Sequence, residues 1–194
     1  MSMLPFTGRH SSRGFTRIVP EQTGLEILLM CLMIPAFVLY TVAIASYEWF
    51  AIYPHSYYGV WYVRFCDVLR CQLIPAVFSD EPAKLVFFPA WYNILQLLSL
   101  FALGGLVLGL YMLLLLWRFK SSQVPSSRQF YTSIVCIATA FVISISLVIF
   151  YTKVNSESKS SLQVGWSSVL ALISCFCELS AGIIIIQFPN KIRK

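Results

Sequence analysis

Four long apolar runs decide most of what this chain can become. They extend from about Leu25 to Tyr47, Trp91 to Trp117, Tyr131 to Tyr151 and Trp166 to Phe188. Each reaches the roughly 20 residues that a helix needs to cross the hydrocarbon of a bilayer. Lipid offers no partners for backbone N–H and C=O groups, so runs of this length in lipid are helices. Composition agrees: 58% of the 194 residues are hydrophobic and only 11% charged, whereas a soluble domain carries about 25% charged residues. The first run follows 24 residues of tail and is longer than the apolar core of about 7–15 residues in a secretory signal, so it is expected to remain as a membrane helix. Tyr47, Trp49, Trp91, Trp117, Tyr131, Tyr151 and Trp166 stand at the ends of the runs, as an interfacial aromatic belt would.

The basic residues all lie between and beyond the runs, and they set an orientation. Arg9, Arg13 and Arg17 precede the first run. Arg118, Lys120 and Arg128 separate the second from the third, and Lys191, Arg193 and Lys194 follow the fourth. These nine fall on one side. The other side has five, Arg64, Arg70, Lys84, Lys153 and Lys159, nearly cancelled by Glu48, Asp67, Asp80, Glu81 and Glu157. The positive-inside rule places the tails, 1–24 and 189–194, in the cytosol, and segments 48–90 and 152–165 outside. A net charge of +6 is thereby explained by topology, and no nucleic-acid partner is expected. The bilayer and other membrane proteins are the expected partners.

Segment 48–90 contains one compact feature, Gly59-Val60-Trp61 leading to Cys66-Asp67-Val68-Leu69-Arg70-Cys71. Aromatic and β-branched residues alternate with polar ones there, which reads as two short strands. Four residues between the cysteines suit a hairpin that brings Cys66 opposite Cys71, within disulfide reach. Asp67 and Arg70 would lie at the exposed tip, available to a partner. Val60, Val63 and Phe65 do not share one face of a regular strand, so a bulge or bend near Val63 is expected. The aromatic stretch before, from Glu48 to Tyr58, could add one or two strands, and Asp80-Glu81-Pro82-Ala83-Lys84 reads as a turn.

Trp49, Gly59, Trp61, Cys66 and Cys71, in the larger outer segment of a four-span chain, resemble the W…G-L-W…C…C signature of the claudin, peripheral myelin protein, epithelial membrane protein and calcium-channel gamma-subunit superfamily, with Val60 in the Leu position. The resemblance implies a four-helix bundle with a small antiparallel extracellular sheet held by the disulfide, and it implies that Trp49 and Trp61 pack the sheet on the helix ends. The last residues, NKIRK, differ from the PDZ-binding terminus of junctional claudins and lean the expectation away from a junction strand-former.

Within the spans, Gly105-x-x-x-Gly109 is a small-residue face suited to close helix approach, inside the bundle by default. Pro35 is expected to kink the first helix locally. Cys31, Cys136, Cys175 and Cys177 are expected as apolar packing residues; Cys175 and Cys177 do not share a helix face and have no His near them. Glu178 is the one ionisable residue near the middle of a span. Ala171, Ser174, Ala181 and Gly182 share its stripe, which should face the bundle interior. A neutral Glu178 hydrogen-bonded to another helix is preferred to a proton or ion relay, because no second acid or Lys within the apolar runs offers a partner for a relay.

No catalytic constellation emerges. His10 and His55 fall on opposite sides of the membrane, and no HExxH, Walker, Gly-x-Ser-x-Gly or CxxC motif is present. The expectation is a non-enzymatic protein without cofactor or metal. It would make protein–protein contacts through its extracellular sheet, in adhesion, a cell junction or membrane organisation at the plasma membrane, or serve as an accessory subunit of a larger channel or receptor.

Overall fold

The computed structural model describes residues 19–52, 56–66, 70–76, 90–118, 126–157 and 162–187. Four helices, α1 (Val19–Ala45), α2 (Ala90–Arg118), α3 (Ser126–Glu157) and α4 (Trp166–Gln187), are long and apolar enough to cross a membrane. The strands are β1 (Phe50–Ile52), β2 (Ser56–Tyr58), β3 (Tyr62–Cys66), β4 (Cys71–Pro75) and β5 (Leu162–Val164). All five sit at the end of the bundle where α1 finishes and α4 begins.

The helices form a ring in which α1 packs on α4, α4 on α3 and α3 on α2, while α1 and α2 touch least. Small residues set these approaches. A Cβ on Gly105 would collide with Thr139 of α3, and one on Gly182 would press on Ile137 and Cys136. The Gly105/Gly109 face is therefore used within the bundle. Short hydroxyls add bonds between helices: Ser133 Oγ donates to the Gly182 carbonyl at 2.7 Å, and Ser174 Oγ to the Ala36 carbonyl at 2.7 Å. Side chains on the outer arcs, such as Phe101, Phe141 and Phe176, are exposed, as lipid-facing residues are. Helix α1 remains helical through Pro35.

Helix α3 continues past the apolar run at both ends. Beyond Tyr151, the hydroxyls of Thr152 and Ser156 bond back to the carbonyls of Val148 and Lys153, so polar residues that end the apolar pattern still extend the helix. Segment 152–165 is thus not simply a loop. Its last part, β5, pairs antiparallel with β1, with Phe50 opposite Val164 and Ala51 opposite Gln163. The sheet order is β4-β3-β2-β1-β5, drawn from both segments that join helices at this end.

The bulge expected near Val63 is absent. The β3–β4 register is continuous from Tyr62↔Pro75 to Cys66↔Cys71, and Tyr58↔Val63 pairs regularly on the other side. The bend instead precedes the strand, where the Gly59 N–H donates to the Tyr62 carbonyl at 2.9 Å. Val60 lies in that bend, so it and Val63 are both fully buried without sharing a strand face. The expected turn at residues 80–84 lies outside the described residues.

Candidate functional site

Two places concentrate chemistry: the sheet on the bundle end and the polar core around Glu178. The sheet is anchored by tryptophan and by backbone groups. Trp49 is 1% exposed, so it is a core residue and not part of the interfacial belt. Its indole N–H donates to the Ala43 carbonyl at 2.6 Å, which also accepts from the Ser46 N–H at 3.2 Å where α1 ends. Its ring faces Phe150 of α3 at 5.8 Å, and Phe50, Trp91 and Tyr92 crowd the same phenyl group at 4.8, 6.2 and 6.0 Å. Trp61 is half-buried and packs on this cluster.

Gly59 has a steric reason for its place in the motif. A Cβ there would overlap the Ser46 carbonyl oxygen and Tyr47 Cα at the end of α1. Helix α2 then grips the same bend: Tyr92 Oη donates to the Gly59 carbonyl, and Gln96 Nε2 donates to the carbonyls of Val60 at 3.1 Å and Ala76 at 3.2 Å. Gln96 thereby satisfies both ends of the β3–β4 hairpin. Neither residue stood out as a sequence motif, although an amide inside the second apolar run was a usable signal. On the other side the Trp166 indole donates to the Glu48 carboxylate, Ser167 Oγ donates to Ser46 Oγ at 2.8 Å, and the Gly165 N–H donates to the Trp49 carbonyl at 2.8 Å. The start of α4 is fastened to the end of α1.

Cys66 and Cys71 form a disulfide, with Cα atoms 4.0 Å apart. Arg70 is exposed beside it; Asp67 lies outside the described residues. The face of the sheet turned from the helices carries Tyr62 at 41% and Leu73 at 54% exposure, with Arg64 directly across from Leu73. The Arg64 guanidinium donates to Tyr47 Oη at 2.9 Å and lies 5.3 Å from the centre of that ring. Arg64 thus joins the face to the end of α1, a role absent from the sequence reading.

In the core, Glu178 is fully buried. No ordinary hydrogen bond reaches either carboxyl oxygen among the described residues; the Cys136 thiol of α3, a weak donor, lies beside the carboxyl, so the expected bond to another helix comes down to a weak thiol contact. The Cys136 thiol and the Met33 methyl stand beside it around Gly109: a Cβ on Gly109 would lie 3.1 Å from Met33 Cε, 3.2 Å from Glu178 Oε1 and 3.5 Å from Cys136 Sγ. The carboxyl lies close against the space that a side chain at 109 would need. Cys136 and Cys175 are buried and Cys177 half-buried, whereas Cys31 is exposed on the outer arc of α1 and packs no core. Among the described residues no group of three His, Cys, Asp or Glu converges as metal ligands would.

Comparison with protein-family models and with curated proteins returns no match for this chain.

Proposed function

We propose that this protein is a four-span membrane protein of the plasma membrane, with both termini in the cytosol, whose sheet is an extracellular contact surface for other membrane proteins. The observation that carries the reading is the construction of that sheet. Two separate segments contribute strands, the α2 side chains and the helix ends hold it rigidly, and its outer face is left with exposed Tyr62 and Leu73 around Arg64. Tyr and Arg are the residue types on which protein interfaces most depend, and a preorganised face loses little entropy on binding. The nine-to-five distribution of basic residues supports the orientation. The signature residues Trp49, Gly59, Trp61, Cys66 and Cys71 support a claudin-like reading, in which the protein works by contact and not by catalysis.

Chemical crosslinking followed by affinity purification in mild detergent tests the proposal. Self-oligomers lost on Tyr62→Ala plus Leu73→Ser would support adhesion or junction assembly. Co-purification of a larger channel or receptor, lost with the same pair, would assign an accessory subunit. If every crosslinked partner survives the double substitution, the sheet is not the contact surface.

A further inference from the structure

The described cysteines, acids and histidines form no three-ligand group by themselves, but a methionine thioether is also a metal ligand. Three side chains from three helices meet against Gly109 of α2. Measured from the place where a Cβ on Gly109 would stand, Met33 Cε of α1 lies at 3.1 Å, Glu178 Oε1 of α4 at 3.2 Å and Cys136 Sγ of α3 at 3.5 Å. The Met33 sulfur is one bond from that methyl. All three side chains are buried. We propose that this junction is a binding site for a single Cu(I) ion. The Cys136 thiolate and the Met33 thioether are its sulfur ligands, and the Glu178 carboxyl is the third donor.

The unmet demand of the acid points to a ligand. Neither Glu178 oxygen has an ordinary hydrogen-bond partner among the described residues, and the polar group beside it is the Cys136 thiol. Packing alone does not call for an acid here. A group kept at a cost in stability is typical of a functional site. The donor set then selects the ion. Thiolate and thioether are soft donors and favour Cu(I). Structural zinc takes four ligands, mostly Cys and His, whereas three groups converge here. Calcium and magnesium take six or more oxygens. Charge leads to the same ion. As the S–Cu bond forms the thiol proton leaves, so one positive charge replaces another. With Glu178 as the un-ionised acid the buried set stays neutral, as a low-dielectric interior favours. Copper remains Cu(I), and no electron moves. Met33 is unbranched, so rotation about its terminal bonds turns the sulfur toward the ion. Met33 and Gly109 face each other across the α1–α2 contact, the slightest in the ring. The ion enters by parting the two helices that hold each other least.

The test titrates the full chain, in mild detergent and without oxygen, with Cu(I) held by bicinchoninate, whose colour fades as the protein takes the metal. Cys136→Ala and Met33→Leu should each lower the affinity for Cu(I) by at least about tenfold, the smaller end of what losing even an outer-shell partner costs a metal site. The combined Cys31→Ser, Cys175→Ala and Cys177→Ala variant should bind as the wild type does. X-ray absorption at the copper edge should find two sulfur neighbours and one oxygen, and Glu178→Leu should lose the oxygen alone. Should Cys136→Ala fail to fold, judged by tryptophan fluorescence, Cys136→Ser keeps the size of the side chain and removes the soft donor. No uptake of Cu(I) by the wild type would overturn the inference. Full affinity in both the Cys136 and Met33 variants would place the metal elsewhere in the chain and overturn it too, as would zinc binding as tightly as copper or copper lost from the triple cysteine variant.

Discussion

The Glu178 carboxyl of α4 lies close against Gly109 of α2: a Cβ on the glycine would stand 3.2 Å from the carboxyl oxygen. The glycine that permits close helix approach also makes room for the acid. Both atoms that Gly109→Ala would meet first, Met33 Cε and Glu178 Oε1, end flexible side chains, so alanine should cost little. Gly109→Leu should overpack the four-helix junction and destabilise by about 1–3 kcal/mol. Thermal unfolding in detergent, followed by tryptophan fluorescence, checks the order wild type, Ala, Leu.

The acid itself carries a prediction opposite to the one its sequence position suggests. Had Glu178 bonded another helix, an apolar replacement would have stranded its partner. With only the weak Cys136 thiol beside the carboxyl and no other partner on either oxygen among the described residues, little is stranded. Glu178→Met, unbranched and of similar volume, should stabilise the protein by about 1–3 kcal/mol, the cost of burying an unsatisfied polar group. Glu178→Gln should be near neutral. If Glu178→Met instead lowers the melting temperature, the carboxyl has a partner such as an internal water.

Gln96 is expected to hold the sheet in place. Gln96→Leu leaves the buried carbonyls of Val60 and Ala76 without their shared donor, at about 1–3 kcal/mol for each group left unsatisfied. Hydrogen exchange should rise across residues 56–76 and stay unchanged in α3 and α4. Uniform acceleration across the chain would show that Gln96 stabilises the bundle and not the hairpin.

The hairpin clasp has a modest expected worth. Closing so short a loop restrains the unfolded chain by only about 2 kcal/mol. Cys66→Ala plus Cys71→Ala should therefore leave the spans folded and make the sheet the first region cut by added protease. Mass spectrometry of unreduced peptides from the wild type should find Cys66 joined to Cys71; pairing of either with another cysteine would refute the clasp.

Much of this was legible in the sequence because hydropathy over 20 residues is a strong signal and lipid leaves the backbone few choices. Cys66 and Cys71 with alternating residues around them were enough for the hairpin. Leu162–Val164 was not legible: three residues show no periodicity, and their partner β1 is more than 100 positions earlier. The solitary acid at 178 could be placed facing inward from its small-residue stripe, but a stripe does not reveal whether a donor opposes it. The bend at Val60 was displaced to Val63 because apolar spacing says that a strand must break and not which residue breaks it.

The pairing of β5 with β1 also bears on how the protein is made. Ile52 and Leu162 are opposite each other in the finished sheet, yet 110 positions separate them along the chain. At a synthesis rate of about 5–20 residues per second, the outer edge of β1 waits roughly 5–20 s for its neighbour after it leaves the ribosome. An unpaired edge strand is a template for any other chain within reach. A nascent or truncated product ending between α3 and β5 would keep that edge open permanently, so truncation there should yield aggregates joined through the sheet, while truncation after α4 should not.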